Sequence, residues 1–155
     1  MVVNQNSINL LRDSLTLQNS LRGSLDQKAS FLVGIAAVIF GLSMIRIEAS
    51  NFLVLAISSF ITLVMAITVV FLPFRGKRKE RLSFICWWGF SDKGLEEYED
   101  KLKKVFDSDD KMAEEYMREI WTMTNYSIKP KSKILKFASF ILVFGLLIGF
   151  VLSFV

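Results

Sequence analysis

Phe52 to Arg81 reads FLVLAISSFITLVMAITVVFLPFRGKRKER, and this stretch decides the fold. Its first 23 residues, Phe52 to Phe74, carry no charge. A helix needs about 20 such residues to cross the hydrocarbon core of a bilayer. Ser58, Ser59, Thr62 and Thr68 fall inside the run, and their hydroxyls can bond their own backbone or a neighbouring helix. Pro73 marks the end of the span. Arg75, Lys77, Arg78, Lys79 and Arg81 follow at once, and short segments rich in Lys and Arg stay on the cytoplasmic side.

Two further apolar runs flank this one. Ala29 to Ile45 is uncharged over 17 residues, near the lower limit for a span, with Lys28 and Arg46 placed to reach the headgroups. Phe137 to Val155 is uncharged over 19 residues and follows the cluster Lys129, Lys131, Lys133 and Lys136. The connection from Arg46 to Asn51 is short, so the first two spans form an antiparallel hairpin. The expected fold is an all-α integral membrane protein with three transmembrane helices, a hairpin plus a C-terminal span, and a helical cytoplasmic segment between spans 2 and 3. The expected divisions are an N-terminal amphipathic helix over 1–28, spans over 29–46, 52–74 and 134–155, and a cytoplasmic region over 75–133. Both basic clusters then lie in the cytoplasm. The N-terminus is expected inside and Val155 outside.

Small residues at i,i+4 allow close helix approach. Gly145 and Gly149 form such a pair in the last span, and Ala37 and Gly41 form one in the first. They suit packing within the three-helix bundle or self-association.

Charge is concentrated outside the spans. All but four of the 19 Lys and Arg, and all but three of the 15 Asp and Glu, lie between Phe74 and Phe137. Within this region LSFICWWGF, residues 82–90, places Trp87 and Trp88 where an interfacial anchor or an aromatic wall for a planar ligand is expected. Helices are expected from about Lys93 to Phe106 and from Asp110 to about Ser127, with Asp107, Ser108 and Asp109 breaking and re-capping the chain. Leu95, Tyr98, Leu102, Val105 and Phe106 form the apolar face of the first. Met112, Tyr116, Ile120 and Met123 form that of the second, with Ala113, Met117 and Thr124 beside it. Glu97–Lys101, Glu99–Lys103 and Asp100–Lys104 are spaced as i,i+4 ion pairs on a solvated face. Lys129 and Pro130 are expected to end or kink the second helix. Ahead of the first span, residues 4–25 show helix spacing in two stripes: Ile8, Leu11 and Leu15, and Leu10, Leu17, Leu21 and Leu25. This segment suits the membrane surface or a partner helix.

The composition narrows the chemistry. One cysteine, Cys86, excludes an internal disulfide framework, and the absence of histidine removes the commonest general base and zinc ligand. No glycine-rich phosphate loop occurs. Asp107, Asp109 and Asp110 begin like a calcium loop, but no Gly or Glu follows at the required spacing. The spans contain no charged residue of the kind that marks an ion pathway. An enzyme is not expected, and neither a metal nor a cofactor is expected.

The order of motifs resembles a known family. DQKASFLVGIAAVIFGLS at Asp26 to Ser43 opens the first span with a D-x-K-A element. FLPFR closes the second at Phe71 to Arg75. WWGFSDKGLEEYEDKL follows at Trp87 to Leu102, and EEYMREIWTMTNYSIKPKSKILKFAS at Glu114 to Ser139 leads into the last span. This is similar to the small transmembrane effectors of Pycsar antiphage systems, over about residues 20 to 155. The resemblance implies a non-enzymatic effector of the bacterial inner membrane, linked to a partner nucleotide cyclase. The cyclase product, cyclic UMP or cyclic CMP, gates the effector, which impairs the membrane and aborts infection. A cyclic mononucleotide offers one phosphate and one planar base. The residues whose chemistry suits it are Lys28, Arg75, Lys129 and Lys133 for the phosphate, and Trp87, Tyr98, Tyr116 and Trp121 for the base. The alternative is a membrane scaffold or accessory subunit that docks a partner through the cytoplasmic helices. A homo-oligomer is compatible with either. The lipid bilayer is a partner in both, and nucleic acid in neither.

Overall fold

The computed structural model describes residues 5–45, 50–71 and 95–154. All its elements are helical: α1 (Gln5–Met44), α2 (Ser50–Phe71), α3 (Leu95–Phe106), α4 (Asp109–Met123), a π-helical turn (Thr124–Ile128) and α5 (Lys129–Leu152). Among the described residues, three stretches are long and apolar enough to cross a membrane. They lie in α1, in α2 and in the helix that runs from Asp109 to Leu152. The chain is an all-α membrane protein that crosses the bilayer more than once.

It divides into two compact units. The apolar unit comprises Gly23–Pro73 and Lys129–Val155. Its core is Ala29 and Leu32 of α1, Ala66 and Val69 of α2, and Leu135, Ala138 and Leu142 of α5. Three alanines in this set leave no side chain beyond Cβ, so the helix backbones approach closely, as membrane helices do. Thr62 adds a polar tie. Its hydroxyl lies 2.8 Å from the Ser58 carbonyl oxygen in its own helix and 3.2 Å from the Ala138 carbonyl oxygen of α5. Ser59 and Ser43 bond carbonyls one turn back, at Leu55 and Ile39. Each hydroxyl is thereby satisfied without water.

The polar unit comprises Met1–Arg22 and Phe74–Ile128, of which 5–22 and 95–128 are described. α3 packs on α4. Ser108 is the extended N-cap of α4, and Asp109 and Asp110 in its first turn complement the helix dipole. Ile8 is buried, and Leu11, Leu15 and Gln18 are half-buried, on one face of α1.

Four expectations change in the structure. Residues 4–25 and the first span are not separate elements, because α1 contains no breaker between Gln5 and Met44. The inward face of α1 keeps one 3–4 spacing throughout: Ile8, Leu11, Leu15, Gln18 and Arg22 in the polar unit, then Leu25, Ala29, Leu32, Ala36, Ile39 and Ser43 in the apolar unit. Leu25 therefore belongs with the core-facing residues and not with the exposed Leu10, Leu17 and Leu21. The helix before the last span neither ends at Lys129 nor stops at Pro130. It widens into the π turn and resumes as α5, a local adjustment that accommodates the missing amide hydrogen of Pro130. On α4 Ala113 and Met123 are buried as expected, but Glu115, Glu119 and Thr122 are buried with them and Met117 is exposed, so the inward face is rotated from the apolar stripe and takes in two carboxylates.

Candidate functional site

The residues expected to bind a ligand fall into both units. In the polar unit, Trp121 on the last turn of α4 leaves about half its surface open, at 54% exposure. Tyr126, in the π turn, packs edge-on against it with ring centroids 5.7 Å apart. The Asn125 side-chain amide donates to the Trp121 carbonyl oxygen at 2.9 Å. The Thr124 hydroxyl lies 2.8 Å from both the Ile120 carbonyl oxygen and the Gln18 amide oxygen, so the π turn is tied to α1. Trp121 is thus a half-exposed aromatic ring in T-shaped contact with Tyr126. Tyr116 is half-buried. It stands five residues before Trp121, about 140° around the helix, so the two rings belong to different faces. Tyr98 lies in α3, but its side chain is outside the description, as are Arg75 and Trp87 altogether.

Arg118, Glu114 and Glu115 of α4 are committed to one another. The Arg118 guanidinium donates to Glu114 at 2.8 Å and to Glu115 at 2.7 Å. Glu115 is nearly buried, and a buried carboxylate needs such a partner. Lys111 stands 4.0 Å from Asp107. Glu99 with Lys103 and Asp100 with Lys104 share a helix face but form no ion pair within 4 Å, consistent with the small gain from exposed pairs. Among the described residues no group of three metal-ligating side chains is gathered.

In the apolar unit, Lys131 is the unexpected residue. It belongs to a cluster read as a solvated topology signal, yet its side chain is 3% exposed. Its ammonium donates to Asp26 Oδ1 at 2.5 Å, bonding α5 to α1, while Asp26 keeps 37% of its side chain open. Asp26 was legible as the D of D-x-K-A and as the acid just before the first span, which makes it the natural partner of a buried lysine at that end. Lys28, Lys129 and Lys133 are exposed. Lys28 forms no ion pair among the described residues. Gly145 and Gly149 are buried against α2. A Cβ at Gly145 would land on the hydroxyl and Cβ of Ser58, and one at Gly149 would stand 2.8 Å from Leu55 Cγ. Ala37 and Gly41 are on the open side of α1, where a Cβ at Gly41 meets nothing within 4 Å.

The chain matches the Pycsar effector protein domain over residues 9–155, and it belongs to that family. No curated protein and no solved structure matches it.

Proposed function

We propose that this Pycsar effector is a non-enzymatic, cyclic-nucleotide-gated protein of the bacterial inner membrane, with its N-terminus in the cytoplasm. Cyclic UMP or cyclic CMP from a partner cyclase is the ligand, and the response is membrane impairment that aborts infection. The observation that supports this reading is the family match, which extends over both the polar helical unit and the spans. A transmembrane antiphage effector needs both parts, one to sense and one to act on the bilayer.

The base is assigned to the open face of Trp121, since stacking on an aromatic plate tolerates either pyrimidine. Arg75 and Trp87, outside the described residues, are retained for the phosphate and a second stack on their chemistry alone. Tyr98 and Tyr116 remain secondary candidates, as do Lys129 and Lys133. Trp121 lies three residues before the first residue of the π turn, and a π turn holds one residue more than an α turn. A ligand that favours the α form would advance α5 by one residue, about 1.5 Å and 100° of rotation. Such gating requires tighter binding to one of the two forms.

The test is thermal stability of the purified full chain with cyclic UMP, cyclic CMP, cyclic AMP, cyclic GMP and cyclic dinucleotides. A dose-dependent rise with one pyrimidine nucleotide is expected, because a ligand of the folded state stabilises it. Trp121→Ala is expected to lower that affinity by about 1–3 kcal/mol, the value of one lost stack. No rise with any nucleotide would favour the scaffold reading, for which the exposed Leu10, Leu17 and Leu21 of the polar unit offer a docking stripe.

A further inference from the structure

An open groove of about 510 Å³ runs between α1 and α5 within the apolar unit. Ser24, Gln27 and Lys28 form one end, and Phe31, Ile35 and Leu135 continue it. Residues 24, 27, 28, 31 and 35 recur at three- and four-residue spacing, so they share a face of α1. That face is about 16 Å long at 1.5 Å per residue. Lys28 immediately precedes the uncharged run 29–45. The polar end therefore stands at headgroup level, and the Phe31–Ile35 end lies among the acyl chains.

The charge at the polar end is not neutralised from within. Asp26, the nearest acid in sequence, is taken by Lys131 at 2.5 Å. Lys28 forms no ion pair among the described residues, so its ammonium is available to an anion. Beside it, the Gln27 amide and the Ser24 hydroxyl add neutral donors.

We propose that this groove binds an anionic glycerophospholipid of the surrounding bilayer, with the phosphate on Lys28 and an acyl chain along Phe31, Ile35 and Leu135. The charge of Lys28 complements the phosphodiester, and the apolar wall complements a chain that a water-soluble nucleotide lacks. Lys28 thus serves lipid rather than nucleotide, and the assignment does not depend on the cyclic-nucleotide reading. An occupied groove fills the space between α1 and α5 beside the Asp26–Lys131 bond.

The experiment is native mass spectrometry of the full chain, released from detergent with equal amounts of phosphatidylglycerol and phosphatidylcholine. The wild type is expected to retain phosphatidylglycerol about fivefold over phosphatidylcholine, the ratio that about 1 kcal/mol per interfacial lysine gives. Lys28→Gln is expected to bring the ratio near one, while Lys28→Arg and Lys133→Gln keep it. Thermal unfolding of each variant, unchanged, shows that the exposed substitutions leave the fold intact. Equal loss in Lys133→Gln would overturn the proposal, because the attraction would then be diffuse. So would displacement of the lipid by millimolar glycerol phosphate or cyclic UMP, which would make the site one for a soluble phosphate. Absence of any preference in the wild type would overturn it as well.

Discussion

The inward and outward faces of the apolar unit use the same residue types for opposite ends. Lys131 and Lys133 are two positions apart in one basic cluster, yet the first is buried on Asp26 and the second is exposed. Gly145 lies against Ser58, while Gly41 faces open space. Residue type in a membrane protein therefore says what a position permits. Register, the face on which it falls, says what it does. A buried lysine must find an anion, and an outward one meets headgroups. A small residue facing a helix admits close contact, and one facing lipid is neutral.

The comparison can be broken at its strongest point by removing one partner of the inner pair. Lys131→Ala is expected to cost about 3 kcal/mol, the low end for one-sided loss of a buried ion pair, because Asp26 keeps part of its side chain in solvent. Lys133→Ala is expected to change thermal stability by less than about 0.5 kcal/mol. Asp26→Asn with Lys131→Met is expected to recover most of the loss, since it leaves no unpaired charge. Equal effects at 131 and 133 would erase the distinction between the faces.

A smaller contrast separates the glycines. Gly145→Ala is expected to destabilise by about 1–3 kcal/mol, as overpacking does, because the backbone or Ser58 must move. Gly41→Ala is expected to be neutral or slightly stabilising, since it gains helix propensity at no steric cost. Smaller still is Thr62→Val, which keeps the shape but removes the hydroxyl between α2 and α5. About 0.6 kcal/mol is expected, the average for hydrogen bonds between membrane helices. All three are read by thermal unfolding in one detergent.

Much of this architecture was legible in the sequence. Long uncharged runs bounded by basic clusters leave few alternatives to spanning helices, because lipid tolerates only a backbone that satisfies itself. The motif order around Asp26, Phe71–Arg75 and Glu114–Ser139 identified the family. Ser108 and its two aspartates announced the start of α4. What stayed hidden depends on contacts between distant segments. The inward duty of Lys131 needs Asp26, 105 positions away. The continuity of α1 was obscured by the change from a polar to an apolar outer surface, which looks like an element boundary although the inner 3–4 spacing never breaks. The buried face of α4 was misjudged because Glu115 counts as a surface residue until Arg118 is seen to hold it. The π turn has no composition signal beyond Pro130, whose missing amide hydrogen it accommodates. For the candidate site, Trp121 was legible as an aromatic plate, whereas its partner Tyr126 depends on the π turn.

The central claim, a membrane effector opened by a cyclic nucleotide, is tested most directly by dye leakage. The full chain would be reconstituted into phosphatidylglycerol-containing liposomes loaded with a self-quenched dye, and cyclic UMP, cyclic CMP or cyclic AMP added outside. Release is expected to rise with one of the pyrimidine nucleotides, to be absent with cyclic AMP, and to be reduced in Trp121→Ala. Release that is equally strong without any nucleotide, or none with every nucleotide, would contradict the claim.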